Sequence, residues 1–401
     1  MTDFYLARQA IHNAKLELLG YDLLFHSKEL NKPLLPRDIA DPAQILVSAL
    51  LDMGLQDVVG NKLAFINLTK RYVLGELPIP LARKQIVLEI HQDILPGAEL
   101  VSAFKQLKLK HSYTLALDSF DYDSSKSVLV PHVDYVKIDV SGLDEEQIEH
   151  QLELLGRFHR QRIAVGVNDC DCFNICKNLG FEYFQGLFFA KPREKSDIGI
   201  DEQKRATLKL IKTLYDDRLT PAKLNSALAR EVSLSSATLK YVNSKRFKLT
   251  TKVNTITEAA NLFGLNCVAN WIAILAIYRI NDKCDELMNL ALIRARMCES
   301  LSKQHDLNSD NGFLLGLLSV LNAIIDQSFD EFQTELPIHG RLDADPALAN
   351  VLKTVIAYER SHWDHPSLAD FASGTLTDTY FEAIRWAAVI HSELLKNAEL
   401  A

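Results

Sequence analysis

FINLT (65–69), VLEI (87–90), TLALD (114–118), YVKID (135–139), RIAVGV (162–167) and EYFQG (182–186) decide the fold of this chain. Each is a short apolar run that closes on a marked position: Asn67, Glu89, Asp118, the pair Lys137 and Asp139, Val165, and Gln185. Counting from Asn67 through Glu89, Asp118, Asp139 and Val165 to Gln185, the steps are 22, 29, 21, 26 and 20 residues. That is the length of one strand plus one helix. Polar groups that recur at strand C-termini point to one mouth of a (βα)8-type barrel, where such barrels keep their chemistry.

Working outward, FYLARQAIH and ELLGYDLLFH read as two short strands around a turn near Asn13. PAQILVSALLDMGLQDVVG carries Ile45, Leu46, Leu50, Leu51 and Leu55 at helical spacing, and GAELVSAFKQLKLKH puts Leu100, Val101, Phe104 and Leu107 on one helical face. SGLDEEQIEHQLELLGRFHR predicts a helix capped by Ser141, with acids in its first turn. This alternation implies a mostly parallel sheet with right-handed crossovers. It stops near FFAKPRE, where Pro192 and the charged stretch to Asp201 mark a boundary. Beyond it every segment has helical periodicity, with Gly264 placed to stop one helix and Asn266 to start the next. The expected fold class is α/β plus all-α: a barrel over residues 1–197, then an all-helical domain over 198–401. No repeat of 30–50 residues stands out, which excludes a solenoid.

Composition bounds the function. The 401 residues are 48% hydrophobic and 24% charged, with a net charge of -8. That balance argues against nucleic acid or an anionic membrane as a partner. The lysines at 105, 108 and 110, and those from Lys245 to Lys252, read as solvated faces. Six cysteines in so long a chain do not make a disulfide framework. The N-terminal stretch lacks the basic-then-apolar pattern of a signal peptide. VANWIAILAIYRI is too short to span a bilayer and reads as a buried helix. The expected location is cytoplasmic.

GYDLLFH, FINLT, VLEIHQD, LALDSF, VKIDV, AVGVND and LGFEYFQGLFFAKP follow in order and spacing a known pattern. Over about residues 3 to 195 the chain resembles the EAL-domain family of cyclic di-GMP phosphodiesterases. The resemblance implies a barrel that hydrolyses one phosphodiester with two divalent metals, which activate water and stabilise the attacking and leaving oxygens. It carries ligand roles onto Gln9, Asn67, Glu89, Asp118, Lys137, Asp139 and Gln185. It also exposes losses. The signature glutamate is Asp22, and the arginine that holds a substrate phosphate is His26. The second acid of an Asp-Asp pair is Ser119, and two loop glutamates are Val165 and Asn168. Three negative charges are therefore missing from a site built for two dications. Asn67, Glu89, Asp118 and Asp139 remain as residual metal candidates. Removing single key groups lowers rates by about 10²–10⁴-fold. The resemblance thus implies a degenerate site with no catalytic residues and no cofactor, or Mg²⁺ or Mn²⁺ only where residual activity survives. A metal-free cyclic di-GMP site remains open.

YVNSKRF, ITEAANLFGLNCVANWIAIL, LALIRARMCESL, GFLLGLLSVLNAII, VIAYERSHW and EAIRWA, over about 205 to 390, resemble the HDOD domain of two-domain EAL–HDOD bacterial signalling proteins, the YuxH-like group. In HD hydrolases the GLL segment runs into a His-Asp metal dyad, whereas here it runs into Ser319 and Val320. The resemblance implies a helical module for protein contacts, with Asn243 and Ser244 as a cap or turn device. One local cluster stands apart. Cys170, Cys172 and Cys176 open the helix after the degenerate loop, where with Asp169 or Asp171 they could hold a soft metal or sense oxidants. In SHWDH (361–365), Trp363 reads as a packing anchor. The leading expectation is a non-enzymatic signalling protein that acts through protein partners and responds to cyclic di-GMP. The alternatives are a weakly active cyclic di-GMP phosphodiesterase and a redox or metal sensor at the cysteine cluster. A homodimer is an open arrangement.

Overall fold

The apolar runs are strands, and the N-terminal hairpin joins them into a closed barrel. In this computed structural model the described residues are 4–27, 42–91, 97–120, 126–156, 158–193, 201–216, 218–229, 231–327 and 345–398. They fall into two compact units, residues 1–191 with 357–381, and residues 192–356 with 382–401.

The strands of the first unit are β1 (Phe4–Asn13), β2 (Leu18–Ser27), β3 (Leu63–Leu68), β4 (Ile86–His91), β5 (Thr114–Asp118), β6 (Tyr135–Asp139), β7 (Gln161–Val165) and β8 (Tyr183–Gln185). They close in sequence order. β1 runs antiparallel to both its neighbours, and the other pairs are parallel. The reversal comes from a tight hairpin: Asn13 Oδ1 accepts the N–H groups of Lys15 and Glu17 at 2.9 and 3.0 Å. Gly20 permits the approach of β2 to β3, since a Cβ there would lie 2.4 Å from the Leu63 carbonyl oxygen.

Side chains alternate across each strand. Ile11, Phe65, Val87, Ala116, Tyr135 and Ile163 make one apolar layer inside the barrel, with Val165 and Tyr183 packed against it. Two residues further toward the mouth stand Gln9, Asn67, Glu89, Asp118, Lys137, Val165 and Gln185. The apolar layer is therefore the floor of the candidate site.

The helices of this unit are α1 (Pro42–Met53), α2 (Leu55–Val59), α3 (Lys70–Val73), α4 (Ala98–Lys105), α5 (Glu145–Leu155) and α6 (Cys170–Asn178). Three differ from expectation. Gly54, at φ 84°, splits the first predicted helix into α1 and α2. α4 widens into a π-turn over Gln106–Lys110. α5 is capped by Asp144, not Ser141: Gly142 at φ 73° breaks the chain after Ser141. Asp144 and Gln147 then form a reciprocal capping box.

Residues 357–381 finish the barrel unit. Here β8 pairs with β1 only at Ile11–Asn13. Among the described residues no strand covers residues 4–8 on that side. Hydroxyl groups cover it instead. Thr377 Oγ1 donates to the Phe4 carbonyl at 2.7 Å, and the Tyr358 hydroxyl donates to the Leu6 carbonyl at 2.9 Å. The Leu6 and Arg8 N–H groups donate to the Tyr358 and Tyr380 hydroxyls, both at 3.3 Å. An open sheet edge is an aggregation hazard, and side chains from the C-terminal segment remove it here.

The second unit is helical: α7 (Glu202–Leu214), α8 (Pro221–Leu228), α9 (Val232–Val242), α10 (Ile256–Phe263), α11 (Leu265–Ile280), α12 (Asp285–Gln304), α13 (Ser309–Leu318), α14 (Leu321–Ile325), most of α15 (Pro346–Glu359) and residues 382–398 of α16 (Ser373–Ala398). Gly264, at φ 92°, both ends α10 and opens α11. Asn266 lies inside α11 instead of starting it, and its Nδ2 donates to Asp310 Oδ2 at 2.6 Å. Gly316 lets α13 lie against α12, since a Cβ there would sit 2.4 Å from the Arg294 carbonyl oxygen. Among the described residues no helix is long and apolar enough to cross a membrane.

Candidate functional site

The mouth of the barrel holds one buried cation among three carboxylates. Lys137 comes from β6, and its side chain is 1% exposed. Its Nζ lies 2.6 Å from Asp22 Oδ2, 2.8 Å from Glu89 Oε1 and 3.7 Å from Asp118 Oδ1. Two amides extend the cluster. Gln185 Nε2 donates to Asp22 Oδ2 at 2.8 Å and to Gln9 Oε1 at 3.0 Å. Asn67 Nδ2 donates to Asp118 Oδ2 at 2.9 Å. Strand register makes these meetings, because Gln9 faces Asp22 across the hairpin and Asn67 faces Glu89.

Charge governs the cluster. Burial opposes the charge on Lys137, but Asp22, Glu89 and Asp118 outweigh it and hold the ammonium well above its ordinary range. Burial raises Glu89 well above the usual carboxylate range. The negative charge of Asp22 adds to that, and Lys137 pulls the other way. With one ammonium for three acids, the balance favours a proton on Glu89. Isolated ions in such a place are strongly penalised, so each member depends on the others.

The other predicted site residues stand outside this network. Asp139 is exposed and accepts the Ser141 N–H at 2.9 Å. Its neighbour in register is Val165, half-buried over the apolar floor. Gly166, at φ 81°, carries the chain away, and a Cβ there would lie 1.9 Å from Ser141 Oγ. Asn168 is exposed beyond it. Ser119 follows Asp118 in a left-handed conformation, φ 50°, which turns the chain so that the Phe120 N–H reaches the Lys137 carbonyl at 2.8 Å. His26 sits at the far end of β2, opposite Tyr5.

The acids that the resemblance implies as metal ligands are engaged by groups of the protein itself. Glu89 and Asp22 face the Lys137 ammonium, the Asn67 amide points its donor at Asp118, and Asp139 is turned to a backbone N–H. Among the described residues no group of three or more His, Cys, Asp or Glu side chains is arranged to hold a metal ion.

In α6, the Asp169 side chain caps the helix by accepting the Cys172 N–H at 2.8 Å. Cys170 and Cys172 are half-buried and Cys176 is buried. A hydrogen bond from the Cys176 thiol lowers Cys172, and the same bond, with burial, raises Cys176.

In the helical unit, Ser319 is tied down. Its hydroxyl donates to the Gly316 carbonyl at 2.6 Å and accepts from Arg294 Nη1 at 3.1 Å. A buried guanidinium thus stands beside the position of the metal dyad in the resemblance. Asn243 braces the end of α9. Its amide donates to the Leu239 and Val253 carbonyls, both at 2.7 Å, and accepts the Val253 N–H at 2.8 Å.

Residues 203–332 match the HDOD domain family. The helical unit carries an HDOD domain. Along nearly its whole length the chain is also similar to two proteins. It is 28% identical to the cyclic di-GMP phosphodiesterase CdgJ of Vibrio cholerae serotype O1 (strain ATCC 39315 / El Tor Inaba N16961) over 404 residues, 96% of this chain and 93% of CdgJ. It is 27% identical to YuxH of Bacillus subtilis (strain 168) over 400 residues, 95% of this chain and 97% of YuxH. Among solved structures, an EAL domain protein from Listeria monocytogenes EGD-e covers 47% of this chain and 87% of its own, at TM-score 0.36 and 18% identity. The phosphodiesterase PaMucR, in complex with c-di-GMP, covers 46% of this chain and 95% of its own, at TM-score 0.39 and 16% identity. HDOD thus describes the helices, and the barrel mouth is the chemically distinctive place in the other unit.

Proposed function

We propose that this chain is a cyclic di-GMP-responsive signalling protein whose barrel receives the nucleotide without hydrolysing it and whose HDOD domain contacts a protein partner. The observation that carries the proposal is the acid count at the mouth. Val165 lies against the apolar floor, Asn168 is exposed and Ser119 turns the chain, so none of the three supplies a carboxylate. The acids that remain are engaged within the protein: Asp22 and Glu89 with Lys137 at 2.6 and 2.8 Å, and Asp139 with the Ser141 N–H. The similarity to CdgJ over 96% of the chain supports cyclic di-GMP as the ligand. In the HDOD domain, the Arg294–Ser319 pair supports a packed contact module rather than a hydrolase.

The same similarity to CdgJ favours a second reading, a weakly active phosphodiesterase that takes up Mg²⁺ or Mn²⁺. Calorimetric titration with cyclic di-GMP, with and without Mg²⁺, separates the two when paired with chromatography of the products. The expected result is metal-independent binding with no linear dinucleotide formed. Turnover that requires Mn²⁺ and disappears in Glu89→Ala would establish the second reading.

A further inference from the structure

The β1–β2 hairpin continues past the ion cluster. By strand alternation Tyr5, Ala7 and Gln9 share a face with Asp22, Leu24 and His26. Gln9 and Asp22 belong to the mouth network, so Tyr5 and His26 lie on the wall leading out of it. They sit directly opposite each other in register. That wall is covered. The Trp363 ring lies parallel to Tyr5, with centroids 5.1 Å apart and planes 1° apart, and parallel to His26 at 6.1 Å and 15°. The Tyr358 ring stands edge-on to both Tyr5 and Trp363, at 83°.

The covering segment is anchored unevenly. Tyr358 on one side, and Thr377 and Tyr380 on the other, bond to the backbone of β1. Trp363 sits between these anchors in a tight turn that contains Ser361 at φ 57°. The indole is partly exposed, whereas Tyr5, Tyr358, Thr377 and Tyr380 are buried. Hydrogen bonds to β1 hold the flanks; the turn at the tip closes on itself through the Ser361, His362 and His365 N–H groups, and ring stacking ties its Trp363 to the wall.

We propose that the Tyr5–His26 pair is a stacking subsite for a purine base, and that Trp363 occupies it until a nucleotide swings the indole out. The proposal rests on the reading of the mouth as a cyclic di-GMP site. An indole and a purine are both flat bicyclic rings, and bases stack on aromatic side chains with little regard to identity. The two rings cannot share the platform, so the gate lowers apparent affinity by the fraction of time it stands closed.

Two measurements on the full chain test this. In the first, diethyl pyrocarbonate is applied to the wild type and to Trp363→Ala, and modified histidines are read by mass spectrometry. His26 should react about tenfold faster in the variant if the gate is open about a tenth of the time in the wild type. His12, buried in the barrel wall, serves as the fold control and should not change. Trp363→Ala should also bind cyclic di-GMP about tenfold more tightly. Unchanged His26 reactivity overturns the gate. Binding by both proteins with equal or weaker affinity in the variant overturns the gate and leaves the ligand reading standing. Binding by neither removes the ligand reading and the subsite with it. The second measurement needs no destabilising variant. The difference in emission between the wild type and Trp363→Phe should shift to the red as cyclic di-GMP is added. An unshifted difference at saturating nucleotide overturns the displacement.

Discussion

Lys137 is the residue on which the barrel mouth turns. Its polar neighbours were legible one by one, because each closes an apolar run and the runs recur at the spacing of strand plus helix. Their mutual pairing was not legible. Asp22 and Lys137 lie 115 positions apart, and only barrel closure brings them to 2.6 Å. The resemblance gives Lys137 a ligand role alongside Asn67, Glu89, Asp118 and Asp139, one among several. The geometry makes it the centre. Lys137→Met should therefore destabilise the chain by about 3–5 kcal/mol, because the buried acids around it lose their shared cation. Urea unfolding at pH 7.5 measures it, and a loss below 1 kcal/mol would mean that water reaches the cluster. Glu89→Gln tests the proton count. Glu89 is raised on folding. The folded state therefore holds more protons than the unfolded chain above the ordinary carboxylate range, and stability falls as pH rises through that window. The substitution removes the penalty. It should raise the melting temperature more at pH 8 than at pH 5. An equal effect at both values would show that Glu89 is ionised throughout.

At the scale of elements, β1 carries the least expected chemistry. It opens the barrel antiparallel to both neighbours, and its outward face buries His12 completely. The ring lies edge-on to Phe189 and Phe188, at 4.9 and 6.2 Å. Burial, aided by Lys62, lowers its pKa to about 4. An unfolded histidine titrates near 6.5, so between 6.5 and about 4 the unfolded chain binds the extra proton. Stability is then lost as the solution is acidified through that window, by about 3 kcal/mol at its lower end. Denaturant titrations at pH 7, 5.5 and 4.5 should show this slope in the wild type and a shallower one in His12→Phe. The same slope in both would assign it to other groups. The hairpin itself was readable from its two alternating runs and the turn at Asn13. The cap of α5 was misplaced by three residues, because a glycine at positive φ overrides a serine with good capping chemistry. His12 gave no signal, since nothing local says which face of an outer strand a later aromatic pair will cover.

For the whole molecule, the barrel is discontinuous in sequence. Strand periodicity stops near Pro192, and the two units divide between Lys191 and Pro192, while 194–200 lie outside the described residues. That residues 357–381 belong with the barrel was not readable, because helical periodicity does not say which partner a helix serves. The consequence for stability is large. A fragment ending at residue 197 lacks four hydrogen bonds to β1, at about 1 kcal/mol each. It also lacks the buried Tyr358, which contributes about 2–3 kcal/mol more. Together these rival the 5–15 kcal/mol that holds a typical domain. The fragment 1–197 should aggregate or melt far below the full chain. A monomeric fragment with the melting temperature of the full chain would show that the barrel closes without its C-terminal segment.

The hydroxyl-covered edge of β1 also imposes an order in time. Leu6 is made 352 positions ahead of the Tyr358 that seals it. At ordinary elongation rates of about 5–20 residues per second, roughly 20 to 70 s separate the two. For that interval the nascent chain carries a formed or forming strand with an open side while the HDOD domain is still being made. A growing chain in that condition is a natural client for a ribosome-bound chaperone, and slowing translation late in the message would lengthen its dependence.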